Sequence, residues 1–389
     1  MMNDEEKYSL CALNRIFGFE PKVAHALLSN LGNASDIFRM KETEINAILG
    51  PWSKYRGRIC GRTLDEAAEE IRKLEEKGVS FIGCTEKDYP ELLKDCDDAP
   101  VGLYIRSRTP ADKLFAPERK IAVVGTRDIS PYGQEWCSRI VSQMGRASEK
   151  PVIVSGLALG TDICAHSNAL ESGLPTIAVM ATGPENVYPH RHMDIAERMA
   201  STEGCGLITD YPPGTAPLAI HFLRRNRIIA GISDTTILIE SRIKGGGMMT
   251  SRLAFSYNRD VYALPGRVDD VTSQGCNLLI KNKTAESIDS VEGLMESLRL
   301  DTGKPLRTLS ASELVRETFG SRAGEGLVSE LSSLLASIRA HRGITLDDLC
   351  ALTSSDYSRI SRLAGMLESE GLISIDLLQR CTVTTRFSR

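Results

Sequence analysis

The chain has 389 residues, more than one hydrophobic core usually supports, so about two to four domains are expected. Its net charge of -4 excludes a global basic field that draws the whole molecule to nucleic acid, so any such binding requires a local basic patch. The opening MMNDEEKYSL lacks a signal-peptide pattern, and no apolar run approaches the roughly 18 residues of a membrane span. These features predict a cytoplasmic protein with no membrane partner.

Residues 1–62 are predicted to form a small helical domain. Three stretches with helical apolar spacing are joined by glycine turns: YSLCALNRIF, GFEPKVAHALLSNLG and NASDIFRMKETEINAILG. Helical units of this kind bind the DNA backbone in some proteins and only pack against a neighbouring domain in others. Both interpretations stay open. A charged helix from Leu64 to Lys77 follows and is predicted to end at Gly78.

From Lys120 the pattern changes to short β-branched runs that alternate with amphipathic helices. Such runs are typical of strands buried on both faces of a parallel sheet, with crossover helices covering it. The predicted fold class of residues 63–300 is therefore α/β, with a doubly wound and mostly parallel sheet. The six predicted strands are KIAVV, PVIVS, PTIAVMA, GLITDY, TTILIE and DVYALPG.

The remaining chain is predicted to be a linker over residues 301–326 and a winged-helix-like domain over residues 327–389. Three helices and then two short strand-like pieces give the winged-helix order. The third helix offers two arginines, Arg359 and Arg362, but it also carries three acidic residues. Because reading the major groove usually requires a more basic surface, this balance favours a protein contact over duplex DNA.

Glycine-rich loops follow nearly every predicted strand. Gly125 and Thr126 follow the first strand, Gly156 follows the second, and Gly245–Gly247 come after the fifth. Ligands of open α/β sheets bind beyond the carboxyl ends of the strands, and glycine lets backbone amides approach a bound oxyanion there. Neither G-x-G-x-x-G nor G-x-x-x-x-G-K-[ST] occurs, so no nucleotide cofactor is predicted.

The segment FLRRNRIIAG, residues 222–231, sets three arginines against an apolar run. At 100° per residue, Arg225 falls close to the isoleucine stripe that must face the core, whereas Arg224 and Arg227 lie off it. A cation at a helix N-terminus is unfavourable by about 0.3 to 1 kcal/mol, and the preceding PPGTAPLAIHF contains no carboxylate to relieve it. The sequence therefore predicts an external anion at this point.

Phosphate is the anion that best matches guanidinium groups, because their N–H forks bind its oxygens bidentately. Arg127 lies at the tip of the first loop on the same edge and can reach the same place. Phe222 begins the predicted helix that carries Arg224, Arg225 and Arg227. It either stacks on an unpaired base, worth roughly 1 to 3 kcal/mol, or anchors the core, and both interpretations stay open.

No catalytic or metal site is predicted. Asp162 and His166 lie four residues apart on one helix but have no third ligand, and we interpret them as a helix cap and a packed histidine. Glu240 ends a strand where a carboxylate can serve as a base, yet no nucleophile or oriented acid accompanies it. The ten cysteines lie singly without C-x-x-C spacing, which favours reduced thiols over zinc.

Several motifs, in the right order, resemble the DprA (Smf) family of DNA-processing proteins. The resemblance covers about residues 79–288 and weakens in the flanking domains. Its motifs are VVGTRDISPYG, SGLALGTDICAHSNAL, TIAVMATGPENVYP, FLRRNRIIAGIS, IESRIKGGGMMTSRLA, ALPGRV and SQGCNLLI.

The resemblance implies a Rossmann-like domain that binds single-stranded DNA in a basic pocket, protects incoming strands during natural transformation and helps to load RecA recombinase. It also implies a homodimer and no enzymatic activity. The loop GGGMMTS departs from the serine-glycine-serine-leucine-like run that is usual in the family, and Leu223 stands where proline is common. The predicted nucleic-acid-binding residues are Gly125, Thr126, Arg127, Gly156, Phe222, Arg224, Arg225, Asn226 and Arg227.

Two other function classes compete with DNA binding. Nucleotide phosphoribohydrolases have a related fold, but their glycine-rich motif leads to a catalytic glutamate, and here Gly245–Gly247 lead to MMTS instead. A purely protein-binding adaptor is the other alternative, and it predicts no salt-sensitive affinity for DNA.

Overall fold

The computed structural model describes residues 4–50, 52–302, 309–320, 322–341 and 343–383. The chain divides into two compact units, one formed by residues 1–133 and 140–302 and the other by residues 134–139 and 303–389. No helix in the described ranges is both long enough and apolar enough to cross a membrane.

The first unit is built on a nine-stranded sheet, and all six predicted strands are present in it. The strands are β1 Val79–Gly83, β2 Gly102–Arg106, β3 Lys120–Val124, β4 Val152–Ser155, β5 Thr176–Val179, β6 Gly206–Thr209, β7 Thr235–Leu238, β8 Asp260–Ala263 and β9 Glu286–Ser287. Their spatial order is β1-β2-β6-β5-β4-β3-β7-β8-β9. The chain winds outward from β3 to β6 and then returns to place β7 beside β3, which confirms the predicted doubly wound α/β class.

The strands β3 to β9 pair in parallel, whereas β1 and β2 form an antiparallel edge against β6. Strands β3 to β7 are buried along their whole length, as expected of a sheet covered on both faces. The sequence does not predict β1 and β2, because each is an isolated five-residue run outside the alternation of strands and helices.

Fourteen α-helices among the described residues lie before residue 300. They are α1 Asp4–Phe17, α2 Pro21–Leu31, α3 Ala34–Arg39, α4 Glu42–Leu49, α5 Gly61–Glu75, α6 Glu91–Lys94, α7 Ala111–Leu114, α8 Pro131–Met144, α9 Thr161–Glu171, α10 Met193–Ser201, α11 Ala219–Ile232, α12 Gly246–Ser256, α13 Gln274–Lys281 and α14 Val291–Ser297. The charged helix predicted over 64–77 corresponds to α5, which begins and ends two to three residues earlier.

The N-terminal helices pack against the antiparallel edge of the sheet. Helix α1 contacts β1, β2 and α5. The phenol of Tyr104 on β2 donates to Glu70 Oε1 on α5 at 2.6 Å, and Arg15 on α1 pairs with the same carboxylate at 2.8 Å. Asn14 Nδ2 donates to the carbonyl of Asp210, just beyond β6, at 2.8 Å. These helices therefore share one compact unit with the sheet, and the domain boundary at residue 62 stays a prediction.

The C-terminal unit has a core of its own and the predicted winged-helix order. Its elements are α15 Ala311–Phe319, α16 Glu325–Ala340, β10 Ile344–Thr345, α17 Leu346–Thr353, α18 Tyr357–Ser369, β11 Ile373–Ile375 and β12 Arg380–Val383. The strands form a small antiparallel sheet in the order β10-β12-β11. Part of the predicted linker over residues 301–326 is helical, since α15 lies within it. This helix forms because Ser310 and Glu313 make a capping box and because Leu314, Val315 and Phe319 pack into the core of the C-terminal unit.

Candidate nucleic-acid interface

A cleft of about 650 Å³ opens at the carboxyl edge of the sheet, where β3 and β7 end. This is the point at which the winding of the chain reverses, and open α/β sheets bind ligands at such points. The loops after β3 and β7 form two sides of the cleft and α11 forms a third. Its predicted lining residues are Gly125, Thr126, Arg127, Phe222, Arg225 and Asn226.

Arg127 lies on the exposed tip of the loop after β3. Its guanidinium carbon is 5.1 Å from the centroid of the Phe222 ring. Within the described part of the chain, no carboxylate forms an ion pair with Arg127, so its charge is available to a ligand in the cleft.

Phe222 lies in the first turns of α11 and forms part of the cleft wall. Its ring is half-buried, and it lies 5.4 Å from the ring of Tyr188, itself about half exposed, at an interplanar angle of 58°. Arg127, Phe222 and Tyr188 thus form a row of one cation and two aromatic rings at the mouth of the cleft. This arrangement places Phe222 on the wall of the cleft and not in the middle of the core.

Two further cations of the cleft were not among the predicted site residues. Arg242 and Lys244 lie in the loop between β7 and α12, both are exposed, and both line the cleft. Neither forms an ion pair with a carboxylate in the described ranges. The sequence feature that could have identified them is the run SRIKGGG, in which two cations come immediately before a glycine-rich helix start at the carboxyl edge of the sheet.

The start of α12 adds backbone donors to this side of the cleft. The helix begins at Gly246 after the N-cap residue Gly245, which has no side chain to cap the first N–H groups. Unsatisfied N–H groups and the positive end of the helix dipole favour an anion at such a position. The prediction that Gly245–Gly247 let backbone N–H groups approach a bound anion is therefore compatible with the position of these glycines in the cleft.

Arg225 is buried at the base of the cleft, with 3% of its surface exposed, as the helical periodicity predicts. Its Nη1 donates to the carbonyl of Gly156 at 2.6 Å and also to that of Val179. Burial lowers the pKa of Arg225 to about 10, while the nearby carboxylate of Asp162 acts in the opposite direction. The guanidinium therefore stays charged at neutral pH and adds positive potential beneath the cleft.

Gly156 does not line the cleft. The reason that glycine is needed at this position differs from the predicted approach of a ligand. A Cβ atom at this position would lie 2.3 Å from both terminal nitrogens of Arg225. The guanidinium lies directly over the glycine backbone, so the absence of a side chain makes room for the buried arginine and not for a ligand.

The remaining two arginines of α11 are placed differently from the prediction. The helix begins at Ala219, so Arg224 and Arg227 lie more than one turn inside it, and the argument from the helix dipole loses its force. Arg227 is 6% exposed and pairs with Asp210 at 2.5 Å, so the premise that no carboxylate neutralises it is wrong. Neither Arg224 nor Arg227 lines the cleft.

The polar residues considered for catalysis have structural partners. Glu240 is fully buried and accepts hydrogen bonds from the backbone N–H of Ser130, at 2.9 Å, and from its hydroxyl, so the carboxylate holds the loop after β3. Asp162 lies one residue inside α9, where Gly160 is the cap, and burial raises its pKa. His166 is fully buried, with Nδ1 2.8 Å from the Thr176 hydroxyl.

Among the described residues, no group of three or more His, Cys, Asp or Glu side chains is arranged to hold a metal ion. The cleft brings guanidinium, ammonium and backbone N–H groups together, with aromatic rings at its mouth. The protein is thus a Rossmann-like α/β protein, and the groups in its cleft are of the kind that bind phosphate in that class.

Comparison with known proteins identifies the family. The family model described as DNA recombination-mediator protein A matches residues 80–299, and the chain belongs to this family. Protein Smf of Synechocystis is 29% identical, covering 96% of this chain and 98% of that protein. DNA processing protein DprA of Bacillus subtilis is 34% identical, covering 57% of this chain and 72% of that protein. The resemblance to the DprA (Smf) family is thus confirmed.

Two solved structures agree with this assignment. DprA from Streptococcus pneumoniae aligns with a TM-score of 0.60 and 29% identity, covering 76% of this chain and 98% of that one. DNA processing protein A from Helicobacter pylori, a protein studied for its single-stranded DNA binding mode, aligns with a TM-score of 0.51 and 28% identity over 57% of this chain and 95% of that one.

The buried pair of Arg227 and Asp210 yields a prediction about stability. Replacing Asp210 by Asn leaves a buried guanidinium without its counter-charge, which costs about 3 to 5 kcal/mol of unfolding free energy. Chemical denaturation should show this loss, and the double variant Arg227→Met with Asp210→Leu should recover part of it. A change in affinity for an anionic ligand with unchanged stability would contradict the structural role of this pair.

The burial of His166 yields a prediction about pH. Burial, with the charges of Arg225 and His192, lowers the pKa of His166 from 6.5 to about 3. Between these values the unfolded chain binds the proton and the folded chain does not, so the unfolding free energy falls as the pH falls below 6.5, by up to about 1.4 kcal/mol per pH unit.

Denaturation curves between about pH 7 and about pH 5 test this expectation. The variant His166→Gln should have a shallower pH dependence than the parent, whereas His190→Gln, which changes an exposed histidine, should keep the parental slope. Equal slopes in all three proteins would contradict the assignment to His166.

Proposed function

We propose that this protein binds single-stranded DNA in the cleft, with little regard to sequence. The observation that carries the proposal is the presence of three exposed cations, Arg127, Arg242 and Lys244, around a cleft with two aromatic rings at its mouth. Guanidinium and ammonium groups bind phosphate, and aromatic rings stack on bases. The single-stranded DNA binding mode of the Helicobacter pylori protein supports the same ligand.

The cleft suits a single strand better than a duplex. Its aromatic pair, Phe222 and Tyr188, is partly exposed at the mouth of the cleft, where an unpaired base can reach the rings. In a duplex the bases are stacked on each other, so they reach such rings only after costly unstacking. Phosphate contacts position a strand without reading its sequence, so the binding is expected to tolerate any base order.

The biological role that we infer is protection of incoming single strands in the cytoplasm and help in loading RecA recombinase during transformation and recombination. The description of the family as a recombination mediator supports this role. We infer that the protein acts as a homodimer and by binding alone, without a cofactor. The engagement of Glu240 with Ser130 supports the absence of a general base in the cleft.

We infer that the winged-helix-like module contacts protein and not duplex DNA. Arg359 on α18 pairs with Glu330 at 2.6 Å, and Arg380 on β12 pairs with Asp376 at 2.7 Å. Two cations that a DNA-binding recognition helix and wing would offer to phosphates, Arg359 and Arg380, are thus paired within the module. The tip of the β11–β12 hairpin presents exposed Leu377 and Leu378, which suit an apolar partner surface.

The three exposed cations at the rim of the cleft, Arg127, Arg242 and Lys244, predict how DNA binding depends on salt concentration. Replacing Arg127, Arg242 or Lys244 by Ala removes one phosphate contact each, so the slope of log affinity against log salt should become shallower by about 0.7 per contact. Fluorescence anisotropy with oligothymidine at several salt concentrations measures the slope. Arg146→Ala is the matched control, because Arg146 is exposed in the segment between α8 and β4 and does not line the cleft.

Unchanged affinity and slope in all three variants would overturn the assignment of the cleft. A loss confined to one oligonucleotide sequence would contradict binding through phosphates. Detectable hydrolysis of a nucleoside monophosphate would instead favour the phosphoribohydrolase alternative.

The position of Phe222 predicts separate effects on binding and stability. Phe222→Leu removes the stacking surface, so affinity for single strands should fall about five-fold or more, whereas the melting temperature should change little because the ring is on the cleft wall. Phe222→Tyr should retain most of the affinity. A large fall in melting temperature with unchanged affinity would show that the ring anchors the core.

A further inference from the structure

The corner between α1 and α2 carries an exposed aromatic ring with an arginine stacked on it. Phe19, the second residue of this corner, is 52% exposed. The guanidinium carbon of Arg224, on α11, lies 4.4 Å from the centroid of the Phe19 ring. A guanidinium plane on an aromatic face is a flat surface of the kind on which nucleobases stack.

Both members of this stack are held in place. Arg224 Nη2 donates to the carbonyl of Gly18 at 3.0 Å, which fixes the guanidinium over the corner. The His221 ring lies 5.8 Å from the Phe19 ring and 4.5 Å from the ring of Tyr211. A phenylalanine supported by two neighbouring side chains, Arg224 and His221, loses little conformational freedom when a ligand stacks on it.

The charges around the corner favour a phosphate-bearing ligand. Within the described ranges, neither Arg224 nor Arg58 forms an ion pair with a carboxylate. Arg58 is exposed and donates to the carbonyl of Ile16, at 3.4 Å, near the end of α1. Glu20 follows Phe19 directly, but its carboxylate is bonded to Lys54. The corner therefore offers two cations and a ring, and the adjacent Glu20, which also attracts Arg224, is paired with Lys54.

The corner is continuous with the cleft across a single helix. Phe222 and Arg224 are two residues apart on α11, which places them on opposite sides of the helix. Leu223 lies between them, lines the cleft and is also exposed. A strand that leaves the cleft over Leu223 meets the stacked pair of Arg224 and Phe19 after crossing one helix diameter, about 10 to 12 Å.

We propose that Phe19 and Arg224 form a second stacking site, which receives a base of the single strand as it leaves the cleft, with Arg58 at a neighbouring phosphate. This proposal rests on the proposed function of the cleft. It makes the N-terminal helices part of the DNA-binding surface and defines the exit path of the strand over α11. Its expected signature is a contribution to affinity that depends on strand length.

The test compares oligothymidines of about 4 and about 16 nucleotides, which bracket the usual site sizes of single-strand-binding folds. Phe19→Ala in the full chain should weaken binding of the long strand about five-fold or more and leave the short strand unaffected. Phe19→Tyr should restore long-strand binding. Arg224→Lys keeps the charge but loses the planar group, so it should also weaken only the long strand.

Phe255→Ala is the matched control, because this phenylalanine is 53% exposed but lies near the end of α12, away from the cleft. Photo-crosslinking of a 5-bromodeoxyuridine strand, mapped by mass spectrometry, should additionally mark Phe19. Arg127→Ala should weaken both strand lengths, which separates failure of the cleft from failure of the second site.

Three results would overturn the second site. The first is parental affinity of Phe19→Ala for both strand lengths while Arg127→Ala is defective. The second is an equal loss for both lengths, which would mean that Phe19 only supports the fold of the cleft. The third is a change in oligomeric state of Phe19→Ala without DNA, measured by light scattering, which would mean that the corner is covered by a second copy of the chain.

Discussion

The geometry of the cleft depends on one buried charge, the guanidinium of Arg225. A cation that is 97% removed from solvent destabilises the fold unless acceptors surround it, and here the carbonyls of Gly156 and Val179 and the carboxylate of Asp162 do so. These acceptors come from the ends of β4 and β5 and from the start of α9. The same contacts that satisfy the arginine therefore fix α11 against the carboxyl edge of the sheet. They also set its rotation, which turns Phe222 toward the cleft and Arg224 toward the outer surface.

The basic residues of this edge divide into two groups according to their partners. Arg225 and Arg227 are buried and held by carbonyls or by Asp210, so they organise the protein. Arg127, Arg242 and Lys244 are exposed at the rim. The net charge of the chain does not show these two groups of cations, because the chain is acidic as a whole. A local group of cations on an acidic protein concentrates positive potential at this edge of the sheet.

The antiparallel edge of the sheet connects the N-terminal helices to the same surface. Strands β1 and β2 extend the sheet beyond β6, and α1 packs on them. Asn14 ties α1 to the carbonyl of Asp210, the residue that pairs with Arg227. The corner that carries Phe19 is thus attached to α11 through a short chain of buried polar contacts. This attachment gives the corner a defined position next to the arginine helix.

Local sequence pattern determined the parallel strands, the glycine loops at their carboxyl ends and the inward direction of Arg225. Each of these follows from neighbours within one strand or one helical turn, where backbone geometry fixes which side chains share a face. Tertiary structure alone decided the ionic partner of Arg227. Asp210 and Arg227 are 17 residues apart and meet only because α11 returns across the end of β6. Likewise, the loop with Arg242 and Lys244 reaches the cleft only because β7 inserts beside β3. Ion pairing and stacking depend on distances of a few ångströms between segments that are remote in sequence, and no local periodicity contains that information.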